Sequence, residues 1–524
     1  MFRHKIINHK IIYLSALILL AVSLPLSTFG LSLSVIILLL NWVFEGGFKQ
    51  KFRVLKERKS ILIFTSLFLI HILWLFNTKN FTYGFHDLKI KLPLLLLPLI
   101  MGTTSPLTGK ELKWILNFFV LAVFISTIIS IGVLLGIGGY QVQNIREISL
   151  FVSHIRFSLY VVMAAFFIIV SLLDKNSYDT IFQKAVKAFV LLWFIIFLFI
   201  LKSITGLVVL CVFGFTFGFY VVIRMSISWQ KIILIFSWIA VFIFITGTLI
   251  SYYKRFYEVD QVNIEKLEKY TANGNPYVHK TEDKHKENGH YLWLYVNEDE
   301  LSKEWNKRSS LRYDSLDLKG QEMRYTIIRY LTSKGFRKDS TGLASLSPEE
   351  IISIENGVAN YLFVNQRSMY PLFYEVLWQF EEQKHGGNPT GHSIIQHILH
   401  LKAGMGILKE HFWFGVGTGD VPDAFAEYYE RIHSPLSHEV RHRAHNQFVT
   451  FFLTFGIFGF LWAMFALVYP VIKEQGLKNP YFVIFFAVSF FSLLTEDMLE
   501  TSSAAMSFAF FYSIFLFAIE KKQD

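Results

Sequence analysis

The sequence predicts an all-α polytopic membrane protein of about twelve transmembrane helices, with one large, mainly helical loop domain outside the membrane. Three observations carry this. Of 524 residues, 53% are hydrophobic and only 17% charged, with a mean hydropathy of +0.42; soluble domains average about 25% charged residues. Apolar runs of about 16–24 residues recur, close to the ~20 that cross a bilayer as helix. A polar stretch from 251 to 447 interrupts them and is long enough to fold on its own.

In chain order the runs fall at roughly 11–28, 30–45, 60–77, 88–103, 112–136, 156–173, 184–201, 204–224, 231–250, 448–472, 480–496 and 502–519. The first is followed at once by another and has no small-residue cleavage site, so it reads as a retained span. Pro93 and Pro98 interrupt the fourth, which membrane helices tolerate when neighbours satisfy the freed carbonyls. The organisation expected is therefore spans 1–9 over 1–250, the loop over 251–447, and spans 10–12 over 448–524. Within the loop, Ser347, Pro348 and Glu350 form a helix-start signature, and 384–393 reads as a flexible linker.

Orientation follows from Lys and Arg in the short loops. Arg3, Lys5, Lys10, Lys49, Lys51, Arg53, Lys56, Arg58 and Lys59 lie on one side, with Lys110, Lys175, Lys184, Arg224, Lys231, Lys473, Lys478, Lys521 and Lys522. That side is the cytoplasm, which puts both termini inside and the large loop outside. The net charge of +10 sits in these loops and not in a soluble basic domain, which excludes a nucleic-acid partner. The single cysteine, Cys211, excludes a disulfide framework or a Cys-based metal site. His279, His285 and His290 lack tight metal spacing, and no metal is expected.

The chemistry gathers near "RHRAHNQFVTFFLTFGIFGF". On a continuous helix, i+11 lies about 20° round from i and i+14 about 40° the other way. His445, Gly456 and Gly459 are then expected on one face, the glycines admitting a close helix neighbour. Two readings stand: a histidine held at the outer surface for chemistry, with Asn446 orienting it or binding substrate, or an interfacial histidine above a packing motif. Arg156, at the outer end of span 6, is either a substrate cation or a side chain snorkelling to the interface. Arg441 and Arg443 are substrate cations or a solvated rim. Glu496 and Glu500, four apart, are expected on one helix face, binding sugar hydroxyls or pairing with Arg443. "GVGTGD" (415–420) lacks the strand of a nucleotide loop; it is a turn or a backbone nest for phosphate or sugar.

His445-Asn446, nine residues, Gly456, two residues, Gly459 resembles the His-Asn-x9-Gly-x-x-Gly signature of bacterial O-antigen ligases and related polymerases. "KEHFWFGVGTGDVPDAF", "SHIRFSL", "KLPLLLLPLI", "GQEMRYTIIRYLTSKGFRKDSTGL" and "TEDMLETSSAAMSFAFFYSIF" are similar to Bacteroidetes-type members, the ligase-related signature covering about 190–470. The resemblance implies an inner-membrane enzyme with a periplasmic loop. It would move a glycan from undecaprenyl diphosphate to a sugar hydroxyl of lipid A–core. No cofactor or metal is needed, since the diphosphate-linked donor is already activated. His445 is implied as base or acceptor-orienting group, with Arg156, Arg443, Arg441 and Lys202 as cations for the leaving diphosphate. The alternative is a polymerase that uses a second lipid-linked glycan as acceptor; a transporter or flippase is the third reading. Two features depart from the family pattern. Ile204, near Lys202, stands where an arginine is usual, and His397, His400 and Lys402 replace a second arginine.

Overall fold

The computed structural model describes residues 8–142, 145–174, 179–224, 229–364, 369–384, 386–387, 389 and 392–520. Arg3, Lys5, Lys175, Lys521 and Lys522 lie outside these, as do positions 385, 388, 390 and 391 of the expected linker. The chain is mostly helical and divides into two compact units, Met1–Arg224 with Gln396–Asp524, and Met225–Ile395.

In the first unit, α1 (His9–Leu26), α2 (Thr28–Glu45), α3 (Phe48–Glu57), α4 (Lys59–Leu73), α5 (Phe81–Lys91), α6 (Pro93–Thr103), α7 (Gly109–Leu134), α8 (His154–Leu173), α9 (Ile181–Leu201) and α10 (Ile204–Arg224) come first. The second unit holds α11 (Trp229–Tyr257), β1 (Lys286–Glu287), β2 (His290–Tyr291), α12 (Glu298–Arg308), α13 (Met323–Ser333), α14 (Ser340–Ala344), α15 (Pro348–Glu355) and α16 (Tyr370–Lys384). Then come α17 (Ser393–Glu410), α18 (Val421–Arg431), α19 (Gln447–Lys473), α20 (Pro480–Thr495) and α21 (Ser502–Leu516). Residues 396–447 thus fold with the first unit.

Helices stand at every expected span, but 88–103 is two pieces. Pro93 has no N–H to give, so the hydrogen-bond ladder breaks at Leu92 and α5 and α6 are each 11 residues. Among the described residues, eight helices are long and apolar enough to cross a membrane; 204–219, α20 and α21 are apolar but shorter. Outward faces carry Phe29 and Phe44, each 75% exposed, and Ile181 at 89%, and the apolar window of α11 has no buried residue. Water disfavours so much contiguous apolar surface, and lipid does not. The core of the first unit is α21, buried from Ala504 to Leu516. An all-round apolar helix belongs inside. Its Tyr512 stacks on Phe64 of α4 at 4.0 Å, and Phe511 meets Phe119 of α7 edge-on at 5.1 Å.

The second unit has its own core around Trp305, Ile327, Ile328, Tyr330 and Leu331. Ser347 and Glu350 close the expected capping box on α15, with Pro348 in its first turn. β1 and β2 pair antiparallel, Glu287 opposite His290.

Gly456 breaks α19 with φ 63° and ψ −171°, a backbone region essentially reserved for glycine. The break exposes the Leu453 and Thr454 carbonyls, which accept from the Val416 and Gly417 N–H groups at 2.8 and 3.0 Å. In return the Ile457 N–H donates to the Phe412 carbonyl at 2.9 Å. Four of the six N–H groups of "GVGTGD" are engaged within the protein. The Gly415 N–H goes to His411 and the Gly419 N–H to Thr78 Oγ1, so the nest reading falls and the turn stands. Because α19 begins only at Gln447 and breaks at Gly456, His445, Gly456 and Gly459 do not share a helix face. Gly459 alone admits a helix neighbour: an added Cβ would lie 3.1 Å from Trp74 and 3.2 Å from Ile70 of α4.

A Cβ on Gly456 would sit 2.2 Å from the Trp413 carbonyl oxygen, and the strained backbone alone costs about 1–3 kcal/mol. Gly456→Ala is expected to lower the melting temperature in detergent clearly. Gly109→Ala, with nothing within 4 Å, is expected to leave it unchanged.

Candidate active site: a histidine cluster on a cleft

The segment before α19, the turn after α20 and helices α5 and α18 surround a cleft of about 870 Å³. Its walls include Tyr83, Arg441, Arg443, His445, Glu496 and Thr501. His445 takes the left-handed conformation, φ 48°, which histidine tolerates better than most side chains. Asp497 holds it there. Its carboxylate accepts the His445 and Asn446 N–H groups, each at 3.1 Å, and the Thr450 hydroxyl at 2.7 Å. Burial raises the Asp497 carboxyl pKa, against the Thr450 bond.

The neighbouring carboxylate does a different job. Glu496 Oε2 lies 3.5 Å from His445 Nδ1. Burial opposes a charge on the imidazole, but Glu496, with Asp497 behind it, outweighs burial and raises the His445 pKa. Three more histidines crowd the ring. His397 stacks on it at 4.4 Å, with His400 at 5.2 Å and His442 at 6.0 Å. Burial, then neighbouring imidazoles, lower His397 and His442. His400, 1% exposed, is pushed down to about 4, burial again the largest cause. His400 Nε2 meets the Val440 carbonyl at 2.8 Å, while its buried Nδ1 has no protein partner among the described residues.

The expected cations fare differently. Arg443 pairs with Glu500 at 2.6 Å and donates to the Tyr83 hydroxyl, so its charge is already matched. Arg441 pairs with Glu430 at the rim and donates to the Leu436 carbonyl at 3.0 Å. Arg156, in the first turn of α8, donates to Ser503 Oγ at 2.6 Å and Thr501 Oγ1 at 2.8 Å, and Thr501 lines the cleft. Among the described residues no carboxylate lies within 4.0 Å of it. Lys202 is the left-handed C-cap of α9, φ 51°, and does not line the cleft.

Two expectations are corrected. The Asn446 side chain does not bond the His445 ring: its oxygen caps α19 by accepting the Phe448 and Val449 N–H groups, and its amide donates to the Leu494 carbonyl. Glu496 and Glu500 share no helix face, because α20 ends at Thr495 and a short turn separates them. Glu496 turns to His445 and Glu500 to Arg443, Lys91 and Gln447.

Asp497, Tyr83, Asp87, Lys91 and His442 escape a sequence reading. The signal for one pair was present: Asp87 and Lys91 are an acid and a base four apart in an apolar segment, and they bond at 2.5 Å. As for ligands, His397, His445 and Glu496 each offer a donor atom within 4.8 Å of the others. No protein-family model matches this chain, and no curated protein matches it significantly.

The raised His445 pKa yields a signed expectation. Its protonated form stabilises the fold below the unfolded pKa, and that contribution is lost as pH rises through the folded value. Histidine-selective NMR titration is expected to place His445 above the ordinary ~6.5. Glu496→Gln is expected to lower it and flatten the pH dependence of stability; an unmoved value would remove Glu496 as the cause.

Proposed function

We propose that this protein transfers a glycan from a lipid diphosphate carrier to a sugar hydroxyl, in the manner of an O-antigen ligase. The observation that supports it most is His445, held on a polar cleft by two carboxylates, with Arg156 nearby and no carboxylate against it. In this reading twelve spans cross the inner membrane with both termini cytoplasmic, and the cleft opens to the periplasm.

The acceptor hydroxyl enters the cleft and gives its proton to the free ring nitrogen, Nε2, of His445. Its oxygen forms the new bond to the anomeric carbon as the carbon–oxygen bond to the diphosphate breaks. Glu496 holds the Nδ1 side and stabilises the imidazolium that forms. The departing lipid diphosphate carries the electron pair to Arg156, whose fork suits phosphate oxygens. Arg441 offers a second guanidinium at the rim. Arg443, paired with Glu500, lines the cleft wall and in this reading has a smaller share in binding the diphosphate than Arg156.

The test is a deletion strain complemented with wild type or variants, with surface polysaccharide and carrier-linked glycan separated on gels. Deletion is expected to strand long glycans on the carrier, and only wild type restores attachment to lipid A–core. His445→Ala is expected to lose about 10²–10⁴-fold in rate. Full restoration by His445→Ala sinks the catalytic assignment; single-repeat glycans still attached after deletion would make the protein a polymerase. Arg156→Ala is expected to cost about 10²–10³-fold, with partial rescue by Arg156→Lys, which supplies charge without the fork.

A further inference from the structure

The donor set around His445 has a second property. His445 Nδ1 and Glu496 Oε2 are 3.5 Å apart. Two ligands on a tetrahedral ion with bonds of about 2.0–2.2 Å stand at nearly that separation. A nitrogen of His397 lies within 4.8 Å of both, and because its ring stacks on His445 with planes 12° apart, that ring must turn about its side-chain bonds to aim its lone pair at the same ion. All three side chains are half-buried, and they come from three segments: α17, the α19 N-terminus and the end of α20. Two imidazoles and one carboxylate suit zinc, and the cleft leaves a fourth position for water.

We propose that His397, His445 and Glu496 bind a divalent zinc-type cation, and that binding switches the site off. The reason is the tautomer. A metal on Nδ1 takes the lone pair there and leaves the proton on Nε2. Nε2 then has no lone pair to accept a proton from an acceptor hydroxyl. The same ion draws the Glu496 carboxylate away from its task. Base and metal ligand are therefore exclusive states of one ring. The inhibitory half rests on the glycan-transfer reading; the binding half does not.

The probe is zinc chloride, titrated calorimetrically into the metal-stripped full chain in detergent, with cobalt as a spectroscopic substitute. One equivalent is expected, with a tetrahedral cobalt spectrum and a zinc-dependent rise in melting temperature. His397→Ala and Glu496→Gln are each expected to weaken binding at least about tenfold and to abolish the thermal shift. Weaker thermal stability of a variant without zinc is measured in the same scan, so misfolding is separated from ligand loss. No stoichiometric binding, or binding unchanged in both variants, overturns the proposal. If zinc binds through these residues but leaves glycan transfer in membranes undiminished, the switch is wrong. If binding holds and the deletion strain shows no transfer defect, the site stands and the ligase reading falls.

Discussion

The carboxylate of Glu500 is the junction on which the rest of the site depends. It receives Lys91 of α5 at 2.9 Å, Arg443 at 2.6 Å and the Gln447 amide at 3.1 Å. Burial alone would push its pKa up. Lys91 first, and then Arg443, outweigh burial and hold it well below the usual carboxylate range. Asp87 adds a second anion against Lys91, so two acids and two bases balance. Such a set is costly to desolvate and costlier to break, because removing one member strands its partners in a low dielectric. It stabilises little by itself. What it does is join three segments at one point: α5, the segment before α19 and the turn before α21. Gln447 completes the lock, since its carbonyl oxygen accepts the Leu499 N–H at 2.7 Å.

From that junction the active geometry follows in two steps. The turn that carries Glu500 also carries Asp497, which faces the backbone of His445 and Asn446 and holds the histidine left-handed. The other support comes from the broken helix. Gly456 lets the loop at 412–417 dock in the gap of α19, and that loop is pinned to the turn that follows α4: the Trp74 indole donates to the Phe414 carbonyl at 2.7 Å. The candidate site therefore sits where local rules are violated, at a left-handed histidine and a helix opened by glycine, with regular packing on both sides.

The helices were legible because apolar runs and charged loops are one-dimensional signals. The helical-phase reading of His445 failed because Asn446 is a strong N-cap. A helix that starts after it cannot carry His445 on its face, and the cap preference was readable in advance. The partition of the acidic segment "TEDMLE" was not readable. Glu496, Asp497 and Glu500 differ in role only because a turn sends them to a ring, a backbone and a pair of cations. The replacement of an expected arginine by His397 looked like a loss of charge. In three dimensions it places an imidazole 4.4 Å from the central one.

Charge around the cleft is not evenly matched. Arg443 and Arg441 face carboxylates, and His445 faces one. Arg156, in the first turn of α8, meets two hydroxyls at the start of α21 and, among the described residues, no carboxylate within 4.0 Å. Neither helix has a side-chain cap at its N-terminus: Ser153 makes no cap bond, and neither does Thr501, whose hydroxyl receives Arg156. Each N-terminus carries roughly half a positive charge from its aligned peptides. A guanidinium between them, with no carboxylate within 4.0 Å among the described residues, would be stabilised by a phosphate placed there. The carboxylates on the His445 side oppose an anion there. The site is thus polarised, positive at Arg156 and bordered by carboxylates at His445, a separation that the proposed transfer would use for a leaving diphosphate and an entering hydroxyl.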